Sequence, residues 1–244
     1  MPNPSSFKKY FSNTSWLFAE KIIRIGLGLF ITVWLARYLG PEQFGMLNYA
    51  ISFVALFGIL SSLGLSNLAT RELLNNPKDS QYIMGTSFVL HLIGALVLIP
   101  LAVFSVSIVR PDSEIIFIMA LIISFTFFLK PFSVIQYWFE SHVQAKNTAT
   151  VAVITGFISV LIKAILIWIE APLIIFAWVV LVESILFAFG LITMYLSKSN
   201  KISTWKVSFE KAKYLLKEAY PLILAGAVYV FLTRIDQVML GSMI

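Results

Sequence analysis

Residues 15–41 read SWLFAEKIIRIGLGLFITVWLARYLGP, and this stretch decides the fold class. Between Ser15 and Tyr38 the charged residues are Glu20, Lys21, Arg24 and Arg37 alone. A membrane-spanning helix needs about 20 mostly apolar residues, and this segment supplies them. Asn13, Thr14 and Ser15 offer N-caps. Gly40 and Pro41 form the stop, because glycine enters the left-handed region cheaply and proline cannot continue a helix. The run is helical by its length, since a barrel strand would alternate over about ten residues.

The pattern then repeats. Apolar runs occupy Phe44–Leu65, Gln81–Val106, Glu114–Tyr137, Thr148–Trp168 and Ala171–Leu196, and another begins at Tyr220-Pro221. With Ser15–Tyr38 these make six complete spans and the start of a seventh. Pro100 should bend the third span, and Lys130-Pro131 should break the fourth. Composition agrees: 59% of the residues are hydrophobic and 12% charged, against about 25% charged in soluble domains. Mean hydropathy is +0.89. Soluble enzymes, nucleic-acid binders and disordered proteins are poor fits. The expected class is an all-α polytopic membrane protein with the lipid bilayer as its surroundings.

The net charge of +6 is then a matter of topology, not of nucleic acid. Loops on the side of the N-terminus carry eleven Lys/Arg, six of them between Lys198 and Lys217, while the other side carries Arg37 and Arg110. The positive-inside bias predicts a cytoplasmic N-terminus. The first apolar stretch is too long for a cleavable signal and lacks a small-residue cleavage site. Domain organisation follows: residues 1–196 as a six-helix bundle, 197–219 as a linker, and 220–244 as the first helix of a second bundle. Phe209, Ala212, Leu215, Leu216 and Ala219 recur at helical spacing among Lys211, Lys213 and Lys217. This predicts a basic amphipathic helix lying on the cytoplasmic surface. The last run is still apolar at Met239, so the expectation is the first part of a longer protein.

Ionisable residues inside spans cost about 2.5–3.5 kcal/mol each on insertion scales and default to function. They are Glu20, Lys21, Arg24, His91, Lys130, Lys163, Glu183, Arg234 and Asp236. Arg24 falls near the midplane. Glu20, Arg24, Gly28 and Thr32 are spaced by four and share a face, and Thr148, Ala152, Gly156, Ser159 and Lys163 form a similar stripe on the fifth span. Glu183 has no cation within a turn on its own helix and needs a partner such as Arg24 or Lys163. Lys130 reads first as snorkelling toward the cytoplasmic end. His91 reads first as a packing residue, with proton relay as the alternative. A net cationic interior suits an anionic cargo such as a diphosphate, whose oxygens match the planar fork of arginine. On this basis Arg24, Lys21, Lys163 and Arg234 are candidate cargo contacts. Glu20, Glu183, Asp236 and His91 are candidates for ion pairing or proton coupling.

Enzyme signatures are absent: the sequence holds no glycine-rich phosphate loop, metal-binding His pair or nucleophile elbow. There is no cysteine and only His91 and His142, so no metal or other cofactor is expected.

Several segments resemble the O-antigen-type polysaccharide flippases of the multidrug/oligosaccharidyl-lipid/polysaccharide exporter superfamily. The most specific is Ala36-Arg37-Tyr38-Leu39-Gly40-Pro41-Glu42-Gln43-Phe44-Gly45. Asn13 to Leu17, Gly64-Leu65 through Arg71-Glu72, Gln136 to Glu140 with Lys146, Tyr220-Pro221-Leu222 and Ile235 to Gly241 follow in order. Trp138-Phe139-Glu140-Ser141 stands where the family commonly carries Gln-Gly. The resemblance implies two six-helix bundles that rock around a cationic cavity. It implies transport of an undecaprenyl-diphosphate-linked oligosaccharide across the bacterial cytoplasmic membrane, and a polysaccharide polymerase as a candidate partner. Arg24 matches the basic position of the first helix in such transporters. The alternatives are a cation-coupled multidrug exporter of the same superfamily, which favours acidic cavities, and a polytopic glycan polymerase or transferase, which needs long outer loops.

Overall fold

Gly40 has φ 71° and ψ 172°, a left-handed conformation that a side chain would strain. It divides the first helix, α1 (Pro4–Ser62), into two limbs. The apolar window Phe18–Gly58 holds 41 residues, about 60 Å at ~1.5 Å per residue, twice the ~30 Å hydrocarbon thickness of a bilayer. The break at Gly40 therefore separates two helical limbs that match the first two expected spans. Pro41 fits as the first residue of the second limb, where its missing N–H costs little.

The computed structural model describes residues 4–62, 65–220 and 228. After α1 come α2 (Leu65–Asn75), α3 (Ser80–Val109), α4 (Glu114–Ser124), a 3-10 segment (Phe125–Phe132), α5 (Ser133–Ser141), α6 (Ala145–Trp168) and α7 (Leu173–Ser197). Residues 209–220 form a further helix. Among the described residues the regular structure is all helical, and five helices are long and apolar enough to cross a membrane. The count is five against the six complete spans expected, and the first segment, Phe18–Gly58, covers the first two of those spans with the non-helical Gly40 between them. The seventh span lies outside the described residues except at its margin.

Side-chain contacts fix the directions. The Lys146 ammonium lies 4.9 Å from the Trp16 ring centre, and the Tyr38 hydroxyl donates to the Ala171 carbonyl at 2.9 Å. The first limb of α1 therefore runs parallel to α6. The second limb returns: Arg110 sits 5.4 Å over the Tyr49 ring, and Gly58 faces Phe127. The Gly40 hinge thus shares one end of the bundle with the turns at 110–113 and 169–172. The other end holds the turns near 76–79, 142–144 and 198–208.

At the Gly40 end the core joins Leu47, Tyr49, Phe53, Met119, Phe176 and Ala177. At the opposite end Met84, Tyr137, Phe139, Leu191 and Tyr195 form a second cluster. Of the expected amphipathic helix, Leu215 and Ala219 are buried with Leu65, Leu68 and Leu90, so they pack on α2 and α3, while Phe209 and Leu216 stay exposed. Polar contacts fasten it: Lys211 Nζ to Asp79 at 2.7 Å, Tyr214 Oη to Glu72 at 3.0 Å, and Arg71 to Glu218 at 3.7 Å. The order of these contacts runs it antiparallel to α2. The Lys206 amide donates to the Gln81 carbonyl at 3.1 Å, and a Cβ at Gly85 would collide with the Lys206 carbonyl.

Candidate functional site: a polar cavity between the first limb and α6

Two small-residue stripes face each other across the bundle. Spacing by four puts Glu20, Arg24 and Gly28 on one face of the first limb. The same spacing aligns Thr148, Ala152 and Gly156 on α6, with Ser159 and Lys163 beyond. Three adjoining cavities lie along this seam, and Arg24 and Ala152 line all three. The largest, about 550 Å³, is nearest the Ser197 end and is lined by Glu20, Lys21, Glu140 and Thr148. The next, about 360 Å³, takes in Lys130, Gln136, Thr155 and Glu183. The third, about 70 Å³, reaches Gly28, Ser159 and Lys163 toward the Gly40 end. The space narrows toward the apolar cluster.

Two ion pairs stand on its walls. Glu20 Oε1 meets Arg24 Nε at 3.3 Å, and the arginine side chain remains 63% exposed. This pair is within one helix, four residues apart. The second pair crosses helices: Lys163 Nζ lies 3.5 Å from Glu183 Oε2. Ser159 donates to the same oxygen at 2.7 Å. Glu183 thus finds the inter-helix cation it needs, and Lys163 turns inward with only 20% of its side chain exposed. Glu140 accepts from Gln136 Nε2 at 2.8 Å, and Thr70 Oγ1 approaches its other oxygen at 3.5 Å.

The structure brings Glu20, Lys21, Arg24, Lys163 and Glu183 to this one seam. His91 lies elsewhere, fully buried on α3 with its ring 6.2 Å from that of Tyr137. Arg234 and Asp236 lie outside the described residues. Lys130, Gln136, Thr155 and Glu140 join the site, although their positions in the sequence do not mark them as cargo contacts. Lys130 borders the cavity, a placement that its depth along the span does not by itself give. A signal for this is present in the sequence: Pro131 disfavours α geometry at the residue before it, and eight residues run as a 3-10 helix. With three residues per turn, Thr126, Leu129 and Phe132 make one row. Lys130 and Ser133 make the next, continued by Gln136 into α5, and all six line the cavity. Ser133 Oγ donates to the Lys130 carbonyl at 2.7 Å, satisfying an acceptor at the break.

Among the described residues the cavity walls carry Lys21, Arg24, Lys130 and Lys163 against Glu20, Glu140 and Glu183. Such a wall can engage a polyanion through the guanidinium fork and several ammonium groups while hydroxyls and amides meet neutral polar atoms. No curated protein and no solved structure matches the chain. The family model for polysaccharide biosynthesis proteins matches residues 11–244, and the chain belongs to that family.

Proposed function

We propose that the protein is a flippase that moves a lipid-linked oligosaccharide across the bacterial cytoplasmic membrane. Arg24 and its neighbouring cations would hold the diphosphate that joins lipid to sugar. The observation that carries this reading is the placement of Arg24. It lies inside a spanning segment, lines all three cavities, and keeps most of its side chain exposed despite its ion pair. A membrane arginine that served packing alone would be spent on its partner and covered.

The chemistry requires no bond to be made. Cargo binds to the cationic wall, and the two access states differ in their affinity for it, so that binding and release shift the population between them. The Glu20–Arg24 and Lys163–Glu183 pairs supply carboxylates that an incoming phosphate displaces. Lysine and arginine crowd the Ser197 end, and the positive-inside rule then makes that end cytoplasmic. Loading is then from the cytoplasmic side, where the widest part of the seam lies.

The test is Arg24→Ala in cells that depend on the protein for surface glycan. Export should be abolished while membrane insertion and protein level stay normal, and Arg24→Lys should retain only part of the activity. Full export by Arg24→Ala would sink the proposal. Transport of cationic drugs lost on Glu183→Gln, with glycan export unaffected, would favour an exporter of the drug class instead.

A further inference from the structure

We propose that Lys130 is a second phosphate contact, placed across Arg24 from Lys21, so that the site grips a diphosphate at both phosphoryl groups. This rests on the flippase reading above and deepens it. Arg24 lines both larger cavities, whereas Lys130 lines only the 360 Å³ one and Lys21 only the 550 Å³ one. The three cations thus stand in the order Lys21, Arg24, Lys130 along the seam, with the guanidinium in the middle. A monophosphate needs one or two of them. A diphosphate spans the set, its bridging region at the fork of Arg24 and its ends at the two ammonium groups.

No ion pair among the described residues accounts for Lys130. Arg24 and Lys163 each have a carboxylate within 4.0 Å, and among the described residues Lys130 has none. The local backbone presents it: the 3-10 segment sets Lys130 in line with Ser133 and Gln136 of α5, and all three line the cavity. An ammonium held in a membrane segment, facing a cavity and with no carboxylate within 4.0 Å among the described residues, is suited to bind a phosphate.

The experiment compares Lys130→Gln, which keeps length and removes charge, with Lys130→Arg and with Arg24→Ala, all at matched membrane levels. Lys130→Gln should lower glycan export at least about tenfold, the scale of one charge-assisted hydrogen bond. Lys130→Arg should restore most of it. Purified wild-type protein should be thermally stabilised by inorganic diphosphate more than by inorganic phosphate, and Lys130→Gln should lose that preference. Normal export by Lys130→Gln alongside an inactive Arg24→Ala would overturn this inference and leave the flippase reading standing. Normal export by both would overturn the reading itself. Lys130→Arg as inactive as Lys130→Gln, or a diphosphate preference unchanged in Lys130→Gln, would also place the lysine outside the phosphate site.

Discussion

The Gly40 end and the cavity seam lie in one bundle but are held together differently. At the Gly40 end Tyr49, Met119, Phe176 and Ala177 are each at most 2% exposed, and Tyr38 packs on Phe176 with ring centres 6.0 Å apart. Along the seam the contacts are ion pairs and hydroxyls. Lipid tails are as apolar as leucine, so burial against another helix gains little over burial against lipid, and close packing must hold the helices together. One end is a fixed plug, and the other is a set of polar contacts that a ligand can exchange. This contrast predicts that mutations should separate stability from transport according to which end they strike. Phe176→Ala should show the largest stability effect, about 3 kcal/mol from the lost contacts and the cavity left behind. It would be read as a fall in melting temperature in detergent. Arg24→Ala should leave that temperature nearly unchanged while export disappears. If Arg24→Ala melted earlier than Phe176→Ala, the division between plug and exchangeable seam would be wrong.

Next in size is Gly85. A Cβ there meets the backbone of Lys206, which cannot yield as a side-chain tip can. Gly85→Ala should cost about 1–3 kcal/mol through overpacking and should expose residues 198–208 to limited proteolysis. Unaltered cleavage would show that this close approach does not hold the linker down. Smaller again is the Lys163–Glu183 pair. Because Glu183 is 43% exposed, solvent screens it, and a double-mutant cycle with Lys163→Met and Glu183→Gln should give a coupling of only about 1 kcal/mol. A coupling several times larger would mean that the seam, too, is a sealed part of the core.

Most of the helical plan is readable in the sequence because lipid imposes one rule: backbone groups must be satisfied within each crossing. The apolar run from Gln81 to Val106 becomes α3, Ser80–Val109, with Pro100 still inside it. Gly40-Pro41 is readable as the interruption between two limbs, yet not as one this tight, since a stop signal carries no loop length. The spacing of Glu20, Arg24 and Gly28 defines a face, and the depth of Lys163 defines a level. Neither can show that α6 lies opposite the first limb, because partner choice between helices depends on packing across the bundle. Lys130 escapes the sequence reading for a local reason: counting depth assumes an α-helix, and Pro131 changes the period. The 209–220 helix escapes it for a tertiary one. Its apolar stripe does not name α2 as the partner of Leu215 and Ala219, and that choice depends on where the fold puts Asp79, Glu72 and Arg71.

That docking also supplies the smallest effect and the one with a pH signature. The hydrogen bond from Lys211 to Asp79 at 2.7 Å holds the ammonium above the usual lysine pKa, with burial opposing it and the charges of Asp79, Glu72 and Glu210 assisting. A pKa raised on folding means that the protonated form favours the docked state. The contribution is therefore complete below the unfolded lysine value of about 10.4 and disappears as pH rises through the higher folded value. The pair is partly exposed, with side chains 30% and 44% accessible, so its worth is at most about 1 kcal/mol. Lys211→Met should loosen the 209–220 helix slightly at pH 8, seen as faster hydrogen exchange of its amides than in the wild type. Near pH 11 that difference should shrink, because the wild-type lysine loses the same charge. A difference that persisted undiminished at pH 11 would mean that the methylene stem of Lys211, and not its ammonium, holds the helix to Asp79.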